Sequence, residues 1–169
     1  DHAASVIDIG AGASTLVDGL VAAGYRNLTV LDLSPMALAI AQQRLGSGSA
    51  AVSWRTADVF AAVFPAASFD VWHDRAVFHF LTDPADRTAY TAAAARAVSP
   101  GGVAVVGCFA LDGPTHCSGL RIVQYSPEKL ASQFSPIFEL ERAEHEVHTT
   151  PSGLEQPFTW VVMRRRSQV

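Results

Sequence analysis

Short apolar runs alternate along this chain with segments whose apolar residues recur every three or four positions, and glycine, proline or aspartate punctuates nearly every change. Residues 5–9, Ser-Val-Ile-Asp-Ile, read as a buried strand running into Gly10-Ala11-Gly12-Ala13-Ser14-Thr15, after which Leu16, Leu20 and Val21 keep helical spacing. Gly24 stops that helix, residues 28–31 form a second apolar strand, and Asp32 sits at its carboxyl end. Ser34 as N-cap and Pro35 at the first helical position open a helix over residues 36–45, with Gly46 just beyond. Residues 51–56 make a third strand followed by Asp58, and Phe69-Asp70-Val71-Trp72 begins a fourth after the turn-like residues 65–68. Asp83-Pro84 caps an alanine-rich helix that runs through Val98, and Ser99-Pro100-Gly101-Gly102 turns the chain into a fifth strand over residues 103–109.

Strand and helix in such alternation predict an α/β doubly wound fold, a mostly parallel sheet covered on both faces. The last third differs. Residues 112–119 read as an irregular loop, and Ser126-Pro127 opens a short helix. Residues 137–148 and 158–165 read as two strands joined through Thr150-Pro151-Ser152-Gly153, a link that suits an antiparallel pair. No repeat or linker divides the chain, and 169 residues fit a single domain over residues 1–169.

Charge and composition narrow the partners. The formal net charge is −4 and the one dense basic run is Arg164, Arg165 and Arg166, which argues against a nucleic-acid partner. The apolar runs fall short of the roughly 20 residues a membrane helix needs, so no membrane partner is expected. The first residues do not read as a secretion signal, and the expected compartment is the cytoplasm. Cys108 follows an apolar run, Cys117 lies in a Gly/Pro-flanked stretch, and neither requires a disulfide framework.

In an open parallel sheet, ligands gather at the carboxyl ends of the strands where the strand order reverses, which directs attention to the loop after the first strand. Gly10 and Gly12 there let the backbone turn tightly and approach a ligand, although the same pair serves a plain strand-to-helix turn. Asp32, about 20 residues beyond the glycines, is placed to bond the two hydroxyls of a ribose. Asp58 is placed to accept from the exocyclic amine of adenine or to cap the segment after it. A dinucleotide site wants a third glycine at position 15, which is Thr15, and this disfavours a nicotinamide-dependent oxidoreductase.

The residues Val6-Ile7-Asp8-Ile9-Gly10-Ala11-Gly12-Ala13-Ser14 resemble the first motif of class I S-adenosylmethionine-dependent methyltransferases, an acidic residue followed by Gly-x-Gly. The resemblance continues in order through Asp32, Ala57-Asp58, Phe69-Asp70-Val71-Trp72-His73-Asp74 and Ser99-Pro100-Gly101-Gly102, over about the first two thirds of the chain. Among subgroups, the small, insertion-free bacterial members are the most similar. The resemblance implies S-adenosyl-L-methionine as cofactor and a Rossmann-like sheet of seven strands, the last two being the antiparallel pair. It also implies that Asp8, Gly10, Ala11 and Gly12 line the methionine end of the cofactor, that Asp32 holds the ribose with neighbouring Leu33 also a cofactor contact, and that Asp58 and Val59 lie by the adenine. Family members usually carry a helical segment before the first strand that closes over cofactor and acceptor. Here the first strand starts almost at residue 1, so the expectation is either that the lid has been removed or that it is supplied elsewhere.

Methyl transfer from a sulfonium is an in-line displacement, and much of the task is to hold the nucleophile aligned in a site that excludes water. A base serves a protonated amine or a hydroxyl and hardly matters for an ionised thiol. In this fold the residues just past the fourth strand face the transferring methyl, which singles out Trp72, His73, Asp74 and Arg75, with Phe78 and His79 one turn later. His73 is the leading base and a cofactor contact, and Asp74 orients it or meets the cofactor's amino group. Capping of the following segment is the structural alternative. Trp72, Arg75, His79 and Cys117 are expected to line the acceptor pocket, although His79 between Phe78 and Phe80 also reads as core. His145 and His148 are read as sharing a strand face. No short ligand spacing of a zinc site appears, and no metal is expected. The acceptor is expected to be a small molecule, a thiol or other soft nucleophile among the candidates. A protein side-chain acceptor and a non-catalytic cofactor-binding module are the other readings, and the oligomeric state is not written in these residues.

Overall fold

The computed structural model describes residues 2–150 and 152–167, so Pro151 of the expected tight link lies outside the described residues. In chain order the elements are β1 (Ser5–Ile9), α1 (Leu16–Ala22), β2 (Asn27–Asp32), α2 (Pro35–Leu45), β3 (Val52–Thr56), β4 (Phe69–Arg75), α3 (Pro84–Ala97) and β5 (Val98–Phe109), followed by β6 (His116–Cys117), β7 (Leu120–Arg121), α4 (Pro127–Phe134), β8 (Phe138–Thr149) and β9 (Glu155–Arg165). Three helices start as their sequences require: Ser34, Asp83 and Ser126 each accept a backbone N–H of the first turn, and each is followed by proline.

Seven strands form one sheet in the order β3-β2-β1-β4-β5-β9-β8. β1 to β5 are parallel, while β9 runs antiparallel to both β5 and β8. This is the doubly wound, mostly parallel sheet with an antiparallel terminal pair. Strand order reverses between β1 and β4, and the carboxyl ends of those two strands frame the crevice where such sheets bind ligands. Two local details depart from expectation. β5 starts at Val98, inside the expected helix end and turn, because Val98 pairs with Phe69 ahead of a register shift. The loop expected at residues 112–119 folds over its carboxyl part into the β6/β7 hairpin.

Each face of the sheet packs its own core. Val6, Leu28, Val30 and Val52 meet Val17 of α1 and Leu38 of α2. On the opposite face Ile7, Ile9, Trp72, Ala104, Val106 and Cys108 meet Tyr90 and Ala94 of α3 and Leu130 and Phe134 of α4. Successive strand residues point to opposite faces, so β4 sends Trp72 and Asp74 into the second core and Val71, His73 and Arg75 to the other side. The edge strand β8 is exposed over most of its length and carries Glu139, Glu141, Arg142, Glu144 and Glu146, charges that discourage pairing with another chain. Among the described residues no helix is long and apolar enough to cross a membrane.

Asp74 is fully buried. Its carboxylate accepts the amide N–H groups of Val77 and Phe78 at 2.8 and 3.0 Å and the Tyr90 hydroxyl, which in turn accepts Trp72 Nε1–H at 3.0 Å. Burial pushes the Asp74 carboxyl up to about 6, against the pull of these donors. A carboxyl with a folded pKa above its unfolded value lends stability at acid pH that is lost as pH rises through the folded value. Urea unfolding across a pH series should therefore show stability falling between about pH 4 and about pH 6, by about 2 to 3 kcal/mol, and Asp74→Asn should flatten that interval. Equal slopes for the two proteins would place the titration elsewhere.

Candidate active site

The loop between β1 and α1 is shaped by glycine. Gly10 and Gly12 sit at φ +61° and +56°, and a Cβ on Gly10 would fall 2.0 Å from Val77 Cγ2. The Gly10 and Ala11 amides both donate to the Leu31 carbonyl, at 2.8 and 3.2 Å, which folds the loop onto the end of β2. Asp32 completes the junction: Oδ2 accepts Gly12 N–H and Oδ1 accepts Ser34 N–H, both at 2.7 Å. A carboxylate has about four lone-pair sites, so this one holds the loop and keeps acceptor capacity toward the cavity it lines.

Two cavities flank this loop. The larger, about 1220 Å³, runs from Asp32, Leu33, Asp58 and Val59 to Phe80 and Ile122. The smaller, about 270 Å³, is lined by Asp8, His73, Arg75, Cys117, His148 and Gln156 over a floor of Phe109 and Phe158. Gly10 and Ala76 belong to the walls of both.

Asp8 and His73 are direct neighbours on β1 and β4 and share a face, which brings His73 Nδ1 to 2.7 Å from Asp8 Oδ1. The Asp8 side chain is only 6% exposed and that of His73 17%. A carboxylate only accepts, so the tautomer that makes this bond has its hydrogen on Nδ1 and leaves the Nε2 lone pair free. The imidazole also stacks on Trp160, with centroids 5.8 Å apart.

The expected site residues divide cleanly. Asp8, Gly10, Ala11, His73, Arg75 and Cys117 line the smaller cavity, and Gly10, Asp32, Leu33, Asp58 and Val59 the larger, with Gly12 tied to Asp32. Asp58 also accepts Phe60 N–H at 2.9 Å, the capping role that was its alternative. Three residues stand elsewhere. Trp72 is fully buried, edge-on to Phe64 and Tyr90, and lines neither cavity, which removes it from the acceptor pocket. Asp74 spends its carboxylate on the turn after β4 and on Tyr90, so it caps and braces and does not face the reaction. His79 is fully buried edge-on to Phe80 and Phe109, and burial pushes its pKa down to about 4, making it a neutral core residue. His145 and His148 lie on opposite faces of β8, three positions apart: His145 Nε2 is 3.4 Å from Asp112, whereas His148 lines the smaller cavity. Gln156, Phe158 and Trp160 were not anticipated; their alternation along β9 is the one signal that puts them on a common face.

An α/β sheet of this order, with a glycine loop, a carboxylate at the end of β2 and a cavity over the switch point, defines the Rossmann-like class that binds a nucleoside-containing cofactor. The sequence profile of the methyltransferase domain family matches residues 6–102, more than half of the chain, and the protein belongs to that family. No curated protein matches the chain by sequence. Solved structures show the same fold. A methyltransferase from Methanosarcina mazei described as S-adenosylmethionine-dependent superposes with a TM-score of 0.81 at 14% identity, over 99% of this chain and 95% of that one. The 1,6-didemethyltoxoflavin N1-methyltransferase of Burkholderia thailandensis, solved with 1,6-didemethyltoxoflavin and S-adenosylhomocysteine, gives 0.77 at 23% identity over 98% and 72% of the chains. The N-methyltransferase NodS of Bradyrhizobium japonicum gives 0.76 at 20% identity over 98% and 88%.

Gly10→Ala should be costly, since it combines a left-handed backbone with a new Cβ only 2.0 Å from the Val77 Cγ2 methyl, which must shift. Thermal denaturation should report a loss of about 1 to 3 kcal/mol. A variant with the wild-type melting temperature would show that the turn yields freely.

Proposed function

We propose that this protein transfers a methyl group from S-adenosylmethionine to a small-molecule acceptor held over the carboxyl ends of β4 and β5. The observation that carries the reading is the meeting of two cavities at Gly10 and Ala76, with the Asp8–His73 pair in the wall of the smaller. The larger cavity suits a nucleoside: Asp32 is available for ribose hydroxyls, Leu33 and Val59 for the faces of the adenine, and Asp58 for its exocyclic amine. Leu33 is 69% exposed, and an adenine over it would cover that apolar surface. The loop at Gly10, Ala11 and Gly12 leads from there toward Asp8, the direction of the amino-acid end. When bound, S-adenosylmethionine supplies an electrophilic methyl: the acceptor's lone pair bonds to carbon as the carbon–sulfur bond breaks, leaving S-adenosylhomocysteine and a proton from the acceptor.

The chain's own part is to position the acceptor and take that proton. His73 Nε2 holds the free lone pair, and Asp8 fixes the ring and stabilises the imidazolium that forms. The formal charge of −4 favours a small acceptor over nucleic acid.

Calorimetric titration with S-adenosylhomocysteine beside NAD tests the reading. Saturable binding of the first alone is expected, and failure of the wild-type protein to bind it would overturn the proposal. Asp32→Ala should weaken that binding by about 1 to 3 kcal/mol, about 5- to 150-fold. His73→Ala should keep the affinity and slow turnover of a hydroxyl or amine acceptor about 100- to 10,000-fold; normal turnover would remove His73 from the role of base.

A further inference from the structure

The smaller cavity contains groups that cofactor binding does not explain. Arg75, the last residue of β4, is half-buried with its guanidinium over the Phe158 ring, Cζ 5.2 Å from the centroid. Among the described residues it makes no hydrogen bond and no ion pair. Several other arginines are occupied: Arg44 pairs with Asp18 at 2.6 Å, Arg164 with Glu141, and Arg87 donates to the carbonyls of Leu81 and Thr82, while Arg96 and Arg121, which lack such partners among the described residues, are exposed to water. Gln156 and His148, on the same side of the sheet, also have no side-chain hydrogen bond among the described residues, and the His148 ring lies 6.5 Å edge-on from Phe158. Among the described residues the only carboxylate in the cavity wall is Asp8, already engaged by His73.

A half-buried guanidinium with no counter-ion is an unfavourable arrangement for a fold to keep on its own account. Its planar fork matches a carboxylate through two parallel hydrogen bonds, a fit that a lysine does not reproduce. Beneath it, Phe109 and Phe158 are buried edge-on to each other and line the cavity. His73 and Arg75 lie two residues apart on one face of β4, about 7 Å along the strand, within reach of a single small molecule. A volume of about 270 Å³ lies just below the usual range of ligand cavities, which limits the occupant to a small molecule.

We infer that the Arg75 end of the smaller cavity, beyond Asp8 and the glycine loop that face the cofactor's amino-acid end, is the acceptor subsite and that it takes a small carboxylate, gripped by Arg75, hydrogen-bonded by Gln156 and His148, and held beside Phe109 and Phe158. The inference rests on the methyltransferase reading for the word acceptor, while the carboxylate specificity is measurable without turnover. It places the nucleophile of the acceptor toward His73 and excludes neutral analogues through the unpaired cation.

The test is an NMR titration of the protein, with and without saturating S-adenosylhomocysteine, using benzoate and its neutral isostere benzamide as probes. Wild type should bind benzoate saturably and benzamide at least about tenfold more weakly. Arg75→Met should abolish that preference, Arg75→Lys should keep part of it, and Gln156→Leu should weaken benzoate while leaving the preference for charge. All three should bind S-adenosylhomocysteine as wild type does, which also shows that they fold. Equal binding of the two probes, binding of neither, or a benzoate affinity indifferent to Arg75 would overturn the inference. So would an Arg75→Met variant that loses S-adenosylhomocysteine affinity tenfold or more, since the cation would then serve the cofactor's own carboxylate. A protein that binds benzoate through Arg75 but never S-adenosylhomocysteine would instead sink the methyltransferase reading and leave the carboxylate site standing.

Discussion

The two-residue alternation of β4, fixed in place by one buried carboxylate, is the constraint on which the site depends. Asp74 points into the core, where Tyr90 and the amides of Val77 and Phe78 satisfy it, so its neighbours His73 and Arg75 must point the other way. The same carboxylate dictates the turn beyond the strand. Ala76 is held at φ +67°, an unusual conformation for a residue with a side chain, and its amide donates to the Gly107 carbonyl at 2.8 Å. That turn carries Val77 up against Gly10, and only a residue without a Cβ fits beneath it. One interior ionisable group thus sets the wall shared by both cavities.

The two cavities differ in chemistry because they belong to opposite sides of that wall. The larger is edged by Asp32 and Asp58 at one end and by apolar side chains at the other, where Leu111 and Leu120 are each 62% exposed over it. Such exposure is the kind of surface a ligand covers. The smaller is polar above and aromatic below, with a hydrogen-bonded Asp–His pair next to an unpaired arginine. A nucleoside in the first and a small anion in the second would bring their reacting ends together at Gly10 and Ala76, the residues common to both walls.

Much of this architecture is legible residue by residue. The Ser34, Asp83 and Ser126 caps, each followed by proline, announce their helices because capping is a local hydrogen bond between neighbours in the chain. The glycine loop and Asp32 are legible for the same reason: a sharp turn and the strand end beside it have short-range signatures. The β5 boundary was obscured because Ser99-Pro100-Gly101-Gly102 carries turn chemistry, yet pairing of Val98 with Phe69 draws it into the strand. Tertiary pairing overrides local preference at such a point.

By itself, then, the amino-acid sequence determined the α/β order of elements, the antiparallel terminal pair, the glycine and carboxylate signature of the cofactor loop, and membership of the methyltransferase domain family. Tertiary structure alone decided which members of the Trp72 to Arg75 run reach the site, since that depends on how far β4 continues before it turns. It also decided that the return of β9 beside β5 brings Gln156 and Phe158 to Arg75, and that His148 faces the cavity while His145 faces Asp112. The physical reason is the same in each case. Which face a strand residue occupies is set by register across partners far away in the chain, and a one-residue change in register would send every side chain to the opposite side.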